Sequence, residues 1–382
     1  MNILFLMGVY PNYGGVEKVS TILANEFIAL GYGVSIVSFE QPHPQLAKME
    51  LSDKVRLHKL SYPVLSKENI KLLNEIILSE SVDILINQWC VPYYVARLCK
   101  KAIKGSSCKL ISVHHNLPNT NARIKAIEIE IEKGRNRLIN RCKKSIVTFI
   151  SRLSLRYTYS VSNKYVVLSS SFIPIAKKYL SVKSDDKILS ITNPITIKKG
   201  DNSGEKIKEI IYVGRIEYNQ KRTFRLVDIW KEVEVDFPDW KLRIVGDGPD
   251  RDDLQKRIEL SGLKNIKIDG YQDPFEYYRR ASILLLVSEY EGFGLVLAEA
   301  MANGVVPIVY GSFQSVYDII DSGSSGFITT IPYNKMDIVD RLRLLMSDDD
   351  LLVEISKKAI TDSSKFELKS VVNQWENLFK NI

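Results

Sequence analysis

Two glutamates eight residues apart, Glu291 and Glu299, are where this 382-residue chain concentrates its chemistry. Glu291 opens a glycine-bearing turn, Glu-Gly-Phe-Gly, and Glu299 falls inside the run Leu295 to Ala302 that follows. A carboxylate has two acceptor oxygens and can hold both hydroxyls of a vicinal diol. One such group beside an anion-binding helix end suits a ribose next to a phosphate. A second, placed before the glycines, can hold hydroxyls of whatever that phosphate carries. The plain alternative is a buried strand–helix turn with two solvated glutamates.

The flanking elements are arranged to position such a pair. Ile283 to Val287 is an apolar run of strand length, continuous as in a strand buried on both faces. Gly292 and Gly294 make a flexible turn, and Leu295 to Ala302 reads as a helix that stops at Gly304. Strand, turn and helix in that order bring unpaired helix N-terminal amides to the carboxyl end of a strand.

The stretch Ser288 to Gly304, SEYEGFGLVLAEAMANG, resembles the E-x7-E motif of retaining glycosyltransferases with two Rossmann-like domains, the GT-B fold. Within that fold it is most similar to family 4, a large group of bacterial sugar transferases. The resemblance implies that Glu299 binds the nucleotide ribose and that Glu291 contacts the donor sugar. It also implies that Phe293 and Gly294 offer backbone amides to the sugar or diphosphate.

The N-terminus reads as a β-loop-α-β unit: Ile3 to Met7, the loop GVYPNYGG, a helix from Val16 to Leu30, and Val34 to Phe39. It lacks GxGxxG, so a dinucleotide fingerprint is not supported. The pair Gly14-Gly15 reads either as a simple turn or as a close approach of backbone to phosphate. The family carries a glycine pair here, which directs the Gly15 amide to the donor diphosphate or the acceptor. Helices at Ile70 to Ser79 and Pro92 to Ala102 alternate with strands at Val82 to Asn87 and Lys109 to Val113. His114 and His115 follow the last of these. No carboxylate or cysteine stands near them at metal-ligand spacing. The resemblance gives one of them contact with the donor sugar: His114 by alignment on the strand, His115 by an H-N-x-P pattern.

Asn121 to Tyr159 has a long helical pattern, with eight Lys or Arg between Lys133 and Arg156 and no acid after Glu132 in that span. Leu138, Ile139, Cys142, Ile146, Phe149, Ile150 and Leu153 keep helical spacing. Such a helix either lies on an anionic membrane surface or packs its apolar face on its own domain with the charges solvated.

After strands at Tyr165 to Leu168 and Ile188 to Ile195, Asn193-Pro194 marks a boundary and Lys198 to Lys208 a polar linker. The second half opens with the strand Glu209 to Val213 and the turn at Gly214, where Arg215 and Lys221 stand ready for phosphate oxygens. The family uses both on the donor diphosphate. Lys221 is followed by Arg222 where many members have Gly, and Arg222 can share the role. Strands at Trp240 to Val245 and Ile266 to Gly270 and helices at Arg251 to Ser261 and Pro274 to Ala281 come next. Tyr271 stands where the family meets the base. A strand at Val305 to Tyr310 is followed by GSFQSVYDIIDSGSSGFI in place of the family's GG-x-PE turn, so no site residue is assigned there. Helices at Met336 to Met346 and Leu351 to Ala359 precede a tail helix, Phe366 to Phe379.

Composition sets the bounds. Apolar content of 45% and charged content of 26% are ordinary for a globular chain, and the length suits two domains. Cys90, Cys99, Cys108 and Cys142 show no metal or CxxC spacing and read as thiols of a reducing compartment. MNILFLMGVY reads as a first strand rather than a signal peptide, and no apolar run reaches the ~20 residues of a membrane span. A net charge of +8 calls for an acidic partner. The expectation is an α/β chain of GT-B type, two Rossmann-like domains with parallel sheets facing a central cleft. Residues 1–193 would bind acceptor, 194–365 the nucleotide sugar, and 366–382 would form a helix crossing back.

The expected reaction moves a sugar from a nucleotide diphosphate sugar, UDP-sugar favoured, to a hydroxyl of a glycan or lipid-linked acceptor with retention of configuration. It would serve bacterial surface polysaccharide or glycoconjugate synthesis. No cofactor, metal or nucleic acid is expected. The location is cytoplasmic, extending to the inner face of the membrane through helix 133–156. The rivals are an epimerase or hydrolase on the same fold, a non-catalytic membrane- or nucleic-acid-binding protein, and a nicotinamide enzyme, the last disfavoured by the missing GxGxxG.

Overall fold

The computed structural model describes residues 1–132, 134, 136–182, 187–197, 200 and 206–382. The chain divides into two compact units, Met1–Thr196 with Leu368–Ile382, and Ile197–Glu367. Most of the expected linker lies outside the described residues, and its end is a strand rather than a linker, because β8 already begins at Ile207.

The first unit holds strands β1 (Asn2–Val9), β2 (Gly33–Glu40), β3 (Arg56–Lys59), β4 (Ile84–Asn87), β5 (Lys109–His114), β6 (Lys164–Val167) and β7 (Ile188–Ser190). They form one sheet in the order β3-β2-β1-β4-β5-β6-β7, every pair parallel. Helices α1 (Gly15–Ala29), α2 (Pro44–Glu50), α3 (Lys67–Ser79), α4 (Tyr93–Ala102), α5 (Ala122–Glu132), α6 (Arg137–Val161) and α7 (Phe172–Leu180) connect them. Leu4, Phe5 and Leu6 are fully buried, so β1 is a central strand covered on both faces, as its unbroken apolar run requires.

The second unit repeats the plan with β8 (Ile207–Val213), β9 (Lys241–Val245), β10 (Ile266–Gly270), β11 (Ala281–Leu286), β12 (Val306–Tyr310) and β13 (Phe327–Thr329). Their order is β10-β9-β8-β11-β12-β13, again parallel throughout. Its helices are α8 (Phe224–Trp230), α9 (Arg251–Ser261), α10 (Phe275–Arg280), α11 (Leu295–Ala302), α12 (Val316–Ile319), α13 (Lys335–Ser347) and α14 (Asp349–Ser363). The last helix, α15 (Leu368–Lys380), belongs to the first unit. There Phe379 packs on Phe27 with ring centroids 5.5 Å apart, and the Tyr32 hydroxyl donates to Glu376 Oε1 at 2.7 Å.

Both sheets reverse direction of growth once, between β1 and β4 and between β8 and β11. Ligands of open α/β sheets bind outside the carboxyl ends of the strands at such reversal points. The helical pattern from 121 to 159 is two helices, not one. Gly134 (φ +77°) and Asn136 (φ +42°) take left-handed backbone between α5 and α6, which no α-helix tolerates. Of the expected basic stretch, residues 133 and 135 lie outside the described residues. The stretch that replaces the GG-x-PE turn folds into α12 and the edge strand β13.

The turn after β8 has no room to spare. Gly246, past the end of β9, has φ +150°, and a Cβ there would lie 1.9 Å from the Gly214 carbonyl oxygen. Gly246→Ala should therefore lower the unfolding free energy by on the order of 3 kcal/mol, because left-handed strain adds to a backbone clash. Thermal denaturation checks this, and a stability equal to that of the wild type would show that the two turns are not in contact as described.

Candidate functional site

In the second unit, the turns that leave β8 and β11 are laced together. The Glu289 amide donates to the Gln220 carbonyl at 2.7 Å, and Gln220 Nε2 donates to the Tyr290 carbonyl at 3.1 Å. Lys221 Nζ lies 2.6 Å from Glu291 Oε1, with side chains only 19% and 10% exposed. Arg225 donates from Nη1 to the Val287 carbonyl at 3.0 Å and from Nη2 to Glu289 Oε2 at 2.9 Å. Its guanidinium sits 3.8 Å from the Tyr333 ring centroid. The Glu217 carboxylate accepts from the Asn219 and Gln220 amides, both at 2.7 Å, and shapes the loop that presents Lys221. Arg215 is exposed, and the Tyr212 hydroxyl pins its carbonyl at 2.8 Å.

Gly294 caps α11 with φ +85° and no side-chain cap. A Cβ there would come 3.2 Å from both Leu297 Cδ1 and Phe313 Cε2, so glycine suits both the backbone and the space. No acidic residue stands in the first turn of α11. An uncapped N-terminus carries unsatisfied N–H groups and a positive partial charge, which is an anion site in outline. Phe293 packs its buried ring edge-on against Phe366, and Ser315 Oγ donates to the Phe293 carbonyl at 3.1 Å. Glu299 is 5% exposed on α11. Its Oε2 accepts from the Tyr278 hydroxyl at 3.2 Å, and burial with that carboxylate beside it pushes the Tyr278 pKa well up.

In the first unit a cavity of about 340 Å³ opens at the β1/β4 reversal. His114, His115, Gln88, Trp89, Glu17 and Asn12 are among its lining residues. His114 ends β5 and bonds through Nδ1 to the Tyr165 hydroxyl at 2.8 Å, while its Nε2 is buried and has no hydrogen-bond partner among the described residues. His115 Nε2 bonds to Gln88 Oε1 at 2.6 Å. Burial pulls the pKa of His114 down to about 4 and that of His115 to about 3, with His114 beside it adding to the second. Both imidazoles are neutral near pH 7, so they can bond hydroxyls but add no positive charge.

Gly15 is the first residue of α1, but that helix end is already occupied. Glu17 folds back so that its Oε2 lies 2.1 Å from where a Cβ on Gly14 would be. Burial raises the Glu17 pKa. An anion brought to the Gly15 amide would meet this carboxylate.

The fold thus gathers Lys221, Glu291, Phe293 and Gly294 on two laced turns, with Arg215 in one of them and Glu299 on the helix that follows. His114 and His115 share one cavity in the first unit. Tyr271 is not gathered: it is 71% exposed beyond β10, an edge strand two places from β8. Sequence reasoning missed Gln220, Arg225, Glu289 and Tyr278 in the second unit and Gln88 and Glu17 in the first. Gln88 stands just past β4 and was findable from the reversal-point rule. Tyr278 gives no local signal.

Stability should fall as pH drops from the ordinary histidine value of 6.5 towards about 4. In that window the unfolded chain binds protons that the folded His114 and His115 refuse. The slope is at most about 1.4 kcal/mol per pH unit for each histidine. Urea unfolding at pH 7 and pH 5 measures it. A His114→Gln/His115→Gln variant should show a flatter dependence, and an unchanged slope would contradict burial of the two rings.

Residues 195–362 match the family described as Glycosyl transferases group 1. An uncharacterized glycosyltransferase of Haemophilus influenzae is 25% identical over 98% of each chain. The amylovoran biosynthesis glycosyltransferase AmsD of Erwinia amylovora is 24% identical over 98% of this chain and 99% of its own. Among solved structures, Anabaena Alr3699/HepE in complex with UDP superposes with a TM-score of 0.77 over the full length of both chains at 14% identity, a likeness of GT-B fold. Residues 195–362, which hold the laced turns and the second parallel sheet, carry the likeness to the group 1 glycosyl transferases, and the chain is a glycosyltransferase.

Proposed function

We propose that the second unit binds a nucleotide diphosphate sugar, UDP-sugar by preference. The enzyme would pass the sugar to a hydroxyl of a glycan or lipid-linked acceptor with retention of configuration, in bacterial surface polysaccharide or glycoconjugate synthesis. The observation that carries the reading is the 2.6 Å pair that Lys221 of the β8 turn and Glu291 of the β11 turn form, the latter just before the uncapped end of α11. The UDP held by the Anabaena HepE structure favours uridine over other bases.

Breakage of the bond to the sugar leaves growing negative charge on the diphosphate. Lys221, Arg215 and the α11 amides stabilise that charge, and fixed donors aimed at developing charge are commonly the largest catalytic contribution. The sugar gains oxocarbenium character, which the Glu291 carboxylate favours electrostatically while holding hydroxyls. The Glu299 carboxylate, oriented by the Tyr278 hydroxyl at Oε2, accepts from the ribose diol. In the first unit, neutral His114 or His115 contacts the donor sugar by hydrogen bonding, and acceptor binds that unit. Tyr271 stands apart from these groups and would cover the base only by reaching in from its exposed place beyond β10, and Gly15 serves the acceptor in preference to the diphosphate because Glu17 holds the helix end. The charge match needs no metal, so transfer should continue undiminished in excess chelator, and abolition would contradict this.

Glu291→Gln should separate binding from chemistry. Lys221 remains to hold the diphosphate, so UDP affinity should stay within about threefold, while transfer falls about 100-fold. Product formation from UDP-sugar, with and without acceptor, together with UDP calorimetry, reads both. Donor turnover without acceptor would favour an epimerase or hydrolase, and parallel loss of binding and transfer would remove Glu291 from the sugar. The anomeric configuration of the product, read by NMR, tests retention.

A further inference from the structure

Helix α6 turns an apolar side outward. Leu138, Ile139, Ile146, Phe149, Ile150 and Leu153 are between 50% and 78% exposed. Most recur at steps of three or four residues, which on an α-helix is one face. The stripe from 138 to 153 runs about 22 Å. The opposite side fastens the helix to its unit: Leu155 and Thr158 are buried, and Ser154 and Thr158 donate to the Val91 and Cys90 carbonyls at 2.6 and 3.0 Å. The stripe is therefore not the packing face, and large contiguous apolar surface of this kind marks an interaction site.

Cations flank the stripe. Helix α6 carries Arg137, Arg141, Lys143, Lys144, Arg152 and Arg156 and no acid. Glu128 of α5 answers Lys144 at 2.8 Å. Arg141, Arg152 and Lys178 line a groove of about 900 Å³ between α6 and α7, and Phe149 belongs to both groove and stripe. Arg152 donates to Ser181 through Nη2, while its Nε is buried and meets no acceptor among the described residues.

We propose that α6 docks on an anionic bilayer, its stripe entering the interface and Arg141, Arg152 and Lys178 holding lipid phosphate in the groove. Apolar residues in the middle with cations at the edges match the depth profile of such a membrane, where tails lie below anionic headgroups. A nucleic acid would answer the charges and leave the apolar side chains in water. A second copy would set two acid-free basic helices against each other. The proposal is independent of the donor-site reading.

Flotation of the full chain with vesicles tests it. Binding is expected to vesicles of phosphatidylcholine with 30% phosphatidylglycerol and to be weak on phosphatidylcholine alone; added salt should reduce it. Arg141→Gln and Arg152→Gln should each lower partitioning about fivefold. Ile146→Ser/Phe149→Ser, at exposed sites that do not support the fold, should lower it about tenfold or more. No flotation with the anionic vesicles would overturn the proposal. So would a dimer in light scattering that the serine variant dissolves, which would make the occupant a second copy.

Discussion

The geometry of the second unit depends on two turns being held as one. The turns after β8 and β11 leave neighbouring parallel strands and would otherwise move separately. Gln220 joins them through backbone and side chain, Arg225 clamps Val287 and Glu289, and Lys221 closes on Glu291. The pair of Lys221 and Glu291 is largely removed from water, where an unanswered charge is costly. Each therefore holds the other in place until a ligand supplies further charge. The cation has two more N–H groups and the carboxylate a second oxygen, so the pair can serve two neighbouring groups of one ligand without separating.

The two units share a topology but differ in charge at their reversal points. At β8/β11 the helix end is uncapped, without an acidic first turn, and cations stand beside it. At β1/β4 the helix end carries Glu17, and the nearby imidazoles are kept neutral by burial. Under the proposed reading this difference assigns the diphosphate to the second unit. It leaves the first with hydrogen bonding to hydroxyls, from rings whose protonation does not change near neutral pH.

Much of the fold was legible because its strands are short, apolar and separated by helix-length segments, a pattern that only a covered parallel sheet explains. The Glu291–Glu299 spacing and the glycines between them were legible for the same local reason. What stayed hidden depends on contacts distant in sequence or on backbone conformation. Lys221 meets Glu291 across 70 residues, and Tyr278 meets Glu299 across 21. The left-handed Asn136 that divides α5 from α6 leaves no mark on apolar periodicity. Arg222 shows the intermediate case. The resemblance leads one to expect Gly here in many members, and the structure gives Arg222 φ +51°, where glycine is at ease. Arg222 stays there with Nε 3.4 Å from Glu289.

The central claim is that the second unit holds a uridine diphosphate between the cations of the β8 turn and the α11 helix. Calorimetric titration of UDP, GDP and ADP into the wild type, Arg215→Ala and Glu299→Ala tests it most directly. The account predicts preferential UDP binding that each variant weakens by at least about tenfold, through loss of a charged phosphate donor in one and of the ribose acceptor in the other. Equal, weak binding of all three nucleotides, unchanged by either substitution, would contradict it.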